Sequence, residues 1–192
     1  MNQSSDALSS KERLLKATAH LLAERGYDGV GLALIAKTAK TTTGSLYFHF
    51  PEGKEELAVA AIDAAAEGRR RRIGEALDEG GPSRIAYLWA DHLEASDWKI
   101  GCPVAATTLQ MSSRSEPLRQ AGQRAFHLWQ DEIAKHLKQH NSDRAAADLA
   151  ARQILSLLEG AELLARTDRS RRPLVEIADV LDSLGKTPAT KT

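Results

Sequence analysis

Thr42, Thr43, Gly44, Ser45, Tyr47 and His49 set hydroxyls, a phenol, an imidazole and a residue without a side chain within about two helical turns. Hydroxyl, phenol and imidazole groups suit phosphate oxygens and base edges, and a glycine lets backbone come close to a duplex. Lys37, Lys40 and Lys54 flank the stretch, where ammonium groups can meet phosphates. This is the chemistry of recognition. Positioning it requires two short helices. Leu32 to Ala39 (LALIAKTA) has apolar residues at one-turn spacing, the polar run Lys40 to Thr43 follows, and the second helix begins near Gly44. The spacing predicts a helix-turn-helix over residues 32–50, with Leu46, Phe48 and Phe50 turned inward as the clamp and the polar side chains turned outward.

The run from Glu12 to Leu57, ERLLKATAHLLAERGYDGVGLALIAKTAKTTTGSLYFHFPEGKEEL, resembles the DNA-binding domain of the TetR family of bacterial regulators. The leucine pair, AERGY, IA, GSLY, HF and KEEL stand at that family's spacing. Departures are local: Lys40 stands where the family's turn carries glycine, Thr41 where it carries an apolar residue, and Gly31 and Leu34 where helix 2 carries a hydroxyl cap and an acid. The resemblance implies a double-stranded DNA operator as partner.

The chain has 192 residues, long enough to bury a sizeable interior, and its formal net charge is zero. A zero net charge is not that of a non-specific DNA coater, and over residues 1–54 seven basic against five acidic residues leave the reading head only mildly positive, at +2. Helix-turn-helix packing also occurs in proteins that touch no DNA, and that alternative stands beside the first. The single cysteine, Cys102, rules out an internal disulfide and fits a reducing compartment. No leader precedes Ser9 and no run nears the roughly twenty apolar residues of a membrane span, which leads us to expect a cytoplasmic protein.

Periodicity and breakers predict an all-α chain of about nine helices. We expect a flexible start at 1–8, a helix-turn-helix DNA-binding domain at 9–54, a ligand-binding and dimerisation domain at 55–185, and a loose tail at 186–192. Ser9 and Glu12 have capping-box spacing, and Gly26 ends helix 1. Helix 4 runs from about Gly53 to Glu79 and joins the domains. Its run Arg69 to Arg72 covers a full turn and reads as a solvated face. Asn141 and Ser142 mark the boundary before helix 8, and Pro173 opens a ninth helix that Gly185 ends. Helix 8 leaves little of its cylinder polar, so Ile154, Leu157, Leu158, Ala161 and Leu164, with Leu174, Ile177 and Leu181 of helix 9, are expected at a two-fold interface.

Trp89, His92, Trp98, Met111, Phe126 and Trp129 are the candidate pocket residues, the three tryptophans combining apolar bodies with polar tips as pocket walls do, and core packing explains the same spacing. Glu159 and Glu162 flank Gly160 in the most apolar helix. A buried one requires a partner, such as a polar ligand group or an arginine of a second subunit; an exposed edge is the plainer alternative. His136 and His140, one turn apart, read as surface residues at a helix C-terminus, and Cys102 has no activating base beside it. No nucleophile elbow, phosphate loop or paired-carboxylate motif is visible, so no enzyme and no cofactor are expected. GCPVAATTL at 101–109, SEPLR at 115–119 and LLEGAELLAR at 157–166 are similar to the multidrug- and flavonoid-responsive (LmrA/YxaF-like) branch of the family. That similarity implies a homodimeric repressor on a pseudo-palindromic operator, released by a small hydrophobic or aromatic effector. A helical binding protein or small enzyme with a purely structural helix-turn-helix is the alternative.

Overall fold

Ser9 and Glu12 start the fold. The Ser9 hydroxyl accepts from the Glu12 N–H, and the Glu12 carboxylate accepts from the Ser9 N–H at 2.8 Å, so the capping box is complete. The computed structural model describes residues 8–140 and 143–186, with the His140 side chain excepted. The expected flexible start and tail therefore fall, apart from Leu8 and Lys186, outside the described residues, as do Asn141 and Ser142. Ten helices occur among the described residues: α1 (Ser10–Arg25), α2 (Leu32–Thr38), α3 (Thr43–His49), α4 (Lys54–Gly80), α5 (Pro82–Ala95), α6 (Pro103–Met111), α7 (Glu116–His140), α8 (Arg144–Asp168), α9 (Arg172–Glu176) and α10 (Ala178–Gly185). The single ninth helix read from the sequence is thus two, parted at Ile177. Its buried stripe of Leu174, Ala178 and Leu181 still runs through the break. The cap before α8 is Asp143, whose carboxylate accepts from the N–H groups of Ala145 and Ala146.

The chain forms two compact units. The first comprises residues 1–65 and 102–123; the second comprises 66–101 and 124–192. Here the structure departs from the sequence division at 54/55, because α6 packs on α1. Gln110 at the end of α6 accepts N–H bonds from Tyr27 (2.6 Å) and Asp28 (3.3 Å), and Arg114 pairs with Asp28 at 2.7 Å. Gly26 serves this contact twice over: its φ of 68° needs no Cβ, and a Cβ there would lie 2.5 Å from Gln110 Nε2. Gly122 of α7 approaches α6 as closely, for an added Cβ would lie 2.3 Å from Thr108 Oγ1. Gly122→Ala should therefore cost about 1–3 kcal/mol by overpacking a stiff β-branched neighbour. Adding Thr108→Ala should restore most of the loss in urea unfolding. Equal midpoints for wild type and Gly122→Ala would contradict this contact.

In the first unit, Leu14, Leu21, Ile35, Leu46, Phe50 and Leu57 form one buried cluster that fixes α2 and α3 against α1 and α4. Each such side chain contributes roughly 1.5–3 kcal/mol by leaving water. Arg13 adds a polar tie, donating to the Ala39 carbonyl at the end of α2 (3.1 Å) and to the Leu8 carbonyl (2.8 Å). Lys40, where the family's turn has glycine, takes φ 51°. A left-handed non-glycine residue costs about 1–2 kcal/mol, partly offset by lysine's smaller freedom when unfolded. Lys40→Gly should then stabilise the protein by roughly 0.5–1 kcal/mol. A lowered thermal midpoint in that variant would count against strain at the turn.

The second unit is built on Ile73, Leu77, Ile85, Leu93, Ile133, Leu137, Ile154 and Leu158, all buried. α5 opens with Gly81 at φ 76°, Pro82 in its first turn, and the Ser83 N–H donating to Asp182 Oδ1 of α10 at 2.9 Å. α4 is continuous through residues 65 and 66, so one helix belongs to both units.

Candidate nucleic-acid interface and effector site

α3 presents a reading face because only one of its sides is needed inside. Leu46 and Phe50, four residues apart, are buried, whereas Tyr47 is 51% and Phe48 82% exposed. This corrects the expectation that Phe48 turns inward: two residues from Leu46, it lies on the opposite side of the helix. Thr43, Gly44, Tyr47 and Phe48 form one exposed surface, since residues 43 and 47, and 44 and 48, are one turn apart. Gly44 is not demanded by the protein's own packing, as a Cβ there would meet only Thr42 Oγ1, at 3.7 Å. The Thr42 hydroxyl caps α3 by accepting from the Ser45 N–H (3.1 Å), and Ser45 is half-buried.

The flanking cations divide. Lys37 and Lys40 are exposed at the end of α2 and in the turn. Lys54 is half-buried, its Nζ 3.9 Å from the centre of the Tyr27 ring, and burial holds its pKa below the ordinary lysine value. Its ammonium is therefore already engaged by an aromatic face rather than standing free at the helix start. His49 likewise departs from the outward placement expected of it. Half-buried, its Nε2 lies 2.7 Å from Ser10 Oγ, tying the end of α3 to the start of α1. Arg13 and Phe48 are the residues that sequence reasoning missed here. The i, i+4 spacing of Leu46 and Phe50 was the signal for Phe48.

Several of the residues expected to line an effector pocket lie around an arginine. Arg69 of α4 pairs with Glu162 of α8, both side chains nearly withdrawn from water, and its guanidinium lies 3.6 Å from the centre of the Trp89 ring and 5.2 Å from that of Trp129. The solvated face expected for Arg69 to Arg72 is thus corrected for Arg69, whereas Arg71 and Arg72 are exposed. Arg70 too is tied, to Glu67 and to Glu132 of α7. Glu162 takes its partner from its own chain, where the sequence allowed an exposed edge or a second subunit. Trp129 Nε1 donates to the Ala66 carbonyl of α4 at 2.9 Å, and Phe126 meets Trp129 edge-on at 5.6 Å. His92 is exposed; the partial burial of its ring, then Arg72 and Arg69, hold its pKa below the ordinary histidine value. Trp89, Phe126, Trp129, His92 and Glu162 therefore belong to one neighbourhood. Trp98 is half-buried in the turn after α5 at φ 60°, and Met111 is buried in the first unit. Cys102 caps α6, its Sγ accepting from the Ala105 N–H at 3.4 Å. His136 Nδ1 lies 3.9 Å from Asp78, and the His140 side chain falls outside the described residues.

Residues 14–61 match the sequence pattern of the bacterial regulatory proteins of the tetR family, and residues 83–180 match the C-terminal domain of LmrA/YxaF-like transcriptional regulators. The chain belongs to the TetR family of bacterial regulators. It is 32% identical to the HTH-type transcriptional regulator LmrA of Bacillus subtilis over 92% of this chain and 97% of that one. Its identity to the regulator YxaF of the same organism is 29%, over 91% and 94%. Among solved structures, the reduced form of Escherichia coli NemR superposes with a TM-score of 0.77 at 26% identity, covering 94% of this chain and all of that one. This TetR-family chain thus has an all-helical fold and is a ligand-responsive DNA-binding regulator of transcription. No helix among the described residues is long and apolar enough to cross a membrane.

The family assignment gives meaning to the surface of α8, where the sequence expectation needs revision. Ile154, Leu158, Ala161, Leu174 and Leu181 are buried within the single chain, where its own core takes them up. Ile177 is half-buried. Leu157 and Leu164 are exposed, and Leu149 and Leu163 join them on the outer side of α8. Gly160, exposed among them, has open space where a Cβ would stand.

Proposed function

We propose that this protein is a homodimeric repressor that binds a pseudo-palindromic operator and leaves it when a small aromatic effector binds. The observation that carries the reading is the α3 surface. A buried clamp holds Thr43, Gly44, Tyr47 and Phe48 outward, and the glycine among them is not required by internal packing. Thr42, Thr43, Gly44, Ser45, Tyr47 and Phe48 read the major groove, Lys37 and Lys40 hold phosphates, and His49 and Lys54 fix the reading helix and its neighbour from within. The second copy docks on the outer side of α8 through Leu149, Leu157, Leu163 and Leu164, where bare Gly160 permits close approach of two helices. The effector binds beside Trp89, Trp129 and Glu162. Because α4 runs through both units, a ligand with higher affinity for a shifted α4 moves the reading heads out of register.

Hydroxyl-radical footprinting of an operator fragment tests the geometry. Two protected patches should appear on one face of the duplex, about 34–36 Å apart or a multiple of that. A single patch would contradict a two-fold complex.

A further inference from the structure

The ring of Phe48 is left in water while Leu46 and Phe50 of the same helix are buried, so it adds nothing to the core. One exposed apolar side chain is ordinary on any surface. This one is braced. The His49 ring meets it edge-on, with centroids 5.1 Å apart and planes at 76°. His49 is itself held from two sides: its Nε2 lies 2.7 Å from Ser10 Oγ of α1, and its ring centroid lies 6.4 Å from that of buried Phe50. A ring with no part in the core is thus tied through His49 to α1. Toward the preceding turn the approach is open. Gly44 stands one turn before Phe48, and a Cβ built there would find no atom of Phe48 within 4 Å, its one neighbour being Thr42 Oγ1 at 3.7 Å.

A phenyl ring neither donates nor accepts a hydrogen bond, so it cannot read the donor and acceptor pattern of a base edge. What it can read is the apolar feature of the major groove, the 5-methyl group of thymine. We propose that Phe48 packs on a thymine 5-methyl group in each operator half-site, and that His49, fixed by Ser10, is the positioning residue that holds the ring for that contact. A cytosine at the same place would set its amino group against the ring instead, so Phe48 selects a T·A pair. Thr43 and Tyr47, exposed on the same surface, keep their hydroxyls for polar contacts. This role for Phe48 rests on the reading of α3 proposed above, to which it adds the class of base.

The test uses a set of operator duplexes, taken from DNA upstream of the gene or selected from a random-sequence pool, in which each thymine is replaced in turn by deoxyuridine. The exchange deletes one methyl group and keeps every hydrogen-bonding group of the base pair. At one thymine in each half-site, the wild-type protein should bind the uridine duplex about fourfold more weakly, and about fifteenfold when both half-sites are changed. Phe48→Ala should bind the thymine and uridine duplexes equally well, and His49→Ala should lose most of the discrimination. Each ratio is taken within one protein, so changes in folding or dimerisation cancel. Specific binding with no thymine at which uridine matters, or a uridine penalty that survives Phe48→Ala, would overturn the methyl contact and leave the regulator standing. A full penalty in His49→Ala would overturn the brace. If no duplex is preferred to unrelated DNA, the regulator falls, and the methyl contact with it.

Discussion

Tyr47→Ala and Phe48→Ala should each weaken operator binding at least tenfold while the protein stays folded and dimeric. Removing one interaction with a base costs about 1–3 kcal/mol per site, and a dimer forfeits it twice. The folded state depends little on either ring, because both are largely in water, Phe48 most of all at 82% exposed. The thermal midpoint of Phe48→Ala should therefore match wild type, and Tyr47→Ala should fall slightly because its ring approaches Gly53. Lys40→Ala supplies the contrast: taking a cation away from a phosphate there should weaken specific and non-specific DNA binding alike and reduce the salt dependence. Undiminished operator affinity in Phe48→Ala would remove that ring from the groove.

The second large effect is on stability. Glu162→Ala takes the carboxylate from an arginine that is nearly withdrawn from water, a change that costs about 3–5 kcal/mol in comparable buried pairs. Against a total of about 5–15 kcal/mol for a folded domain, the variant should be marginal near body temperature. The paired replacement Arg69→Met with Glu162→Met should recover most of the loss, since no charge is left stranded. Chemical unfolding of the three proteins decides the matter. A single variant as stable as wild type would mean that water or another group already serves Arg69.

Much of the reading head was legible because its signals are local. The Ser9–Glu12 capping box, the positive-φ glycine at 26 and the i, i+4 pair Leu46–Phe50 each depend on residues within one turn. Phe48 was misjudged because LYFHF alternates apolar and polar residues, a period of two laid on a helix of period 3.6. The proposed effector site was legible only in part. Trp89, Trp129 and Glu162 were identifiable by type, but the arginine that joins them sits in a run that covers a whole turn. What selects Arg69 from that run is a carboxylate 93 residues away. The same limit applies to α8. Leucines on nearly every side predict that both faces are covered, yet whether Leu158 or Leu164 faces the chain's own core depends on where α5 and α10 pack. Gln110 likewise draws α6 to α1 through hydrogen bonds that span more than eighty residues of sequence.

The most direct test of the central claim is a titration of the purified protein against DNA from upstream of its own gene, with an unrelated duplex of equal length, at one stated salt concentration. A preference of about a thousandfold or more for the upstream DNA is expected. Equal, weak binding to both, repeated with fragments selected from a random-sequence pool, would contradict it.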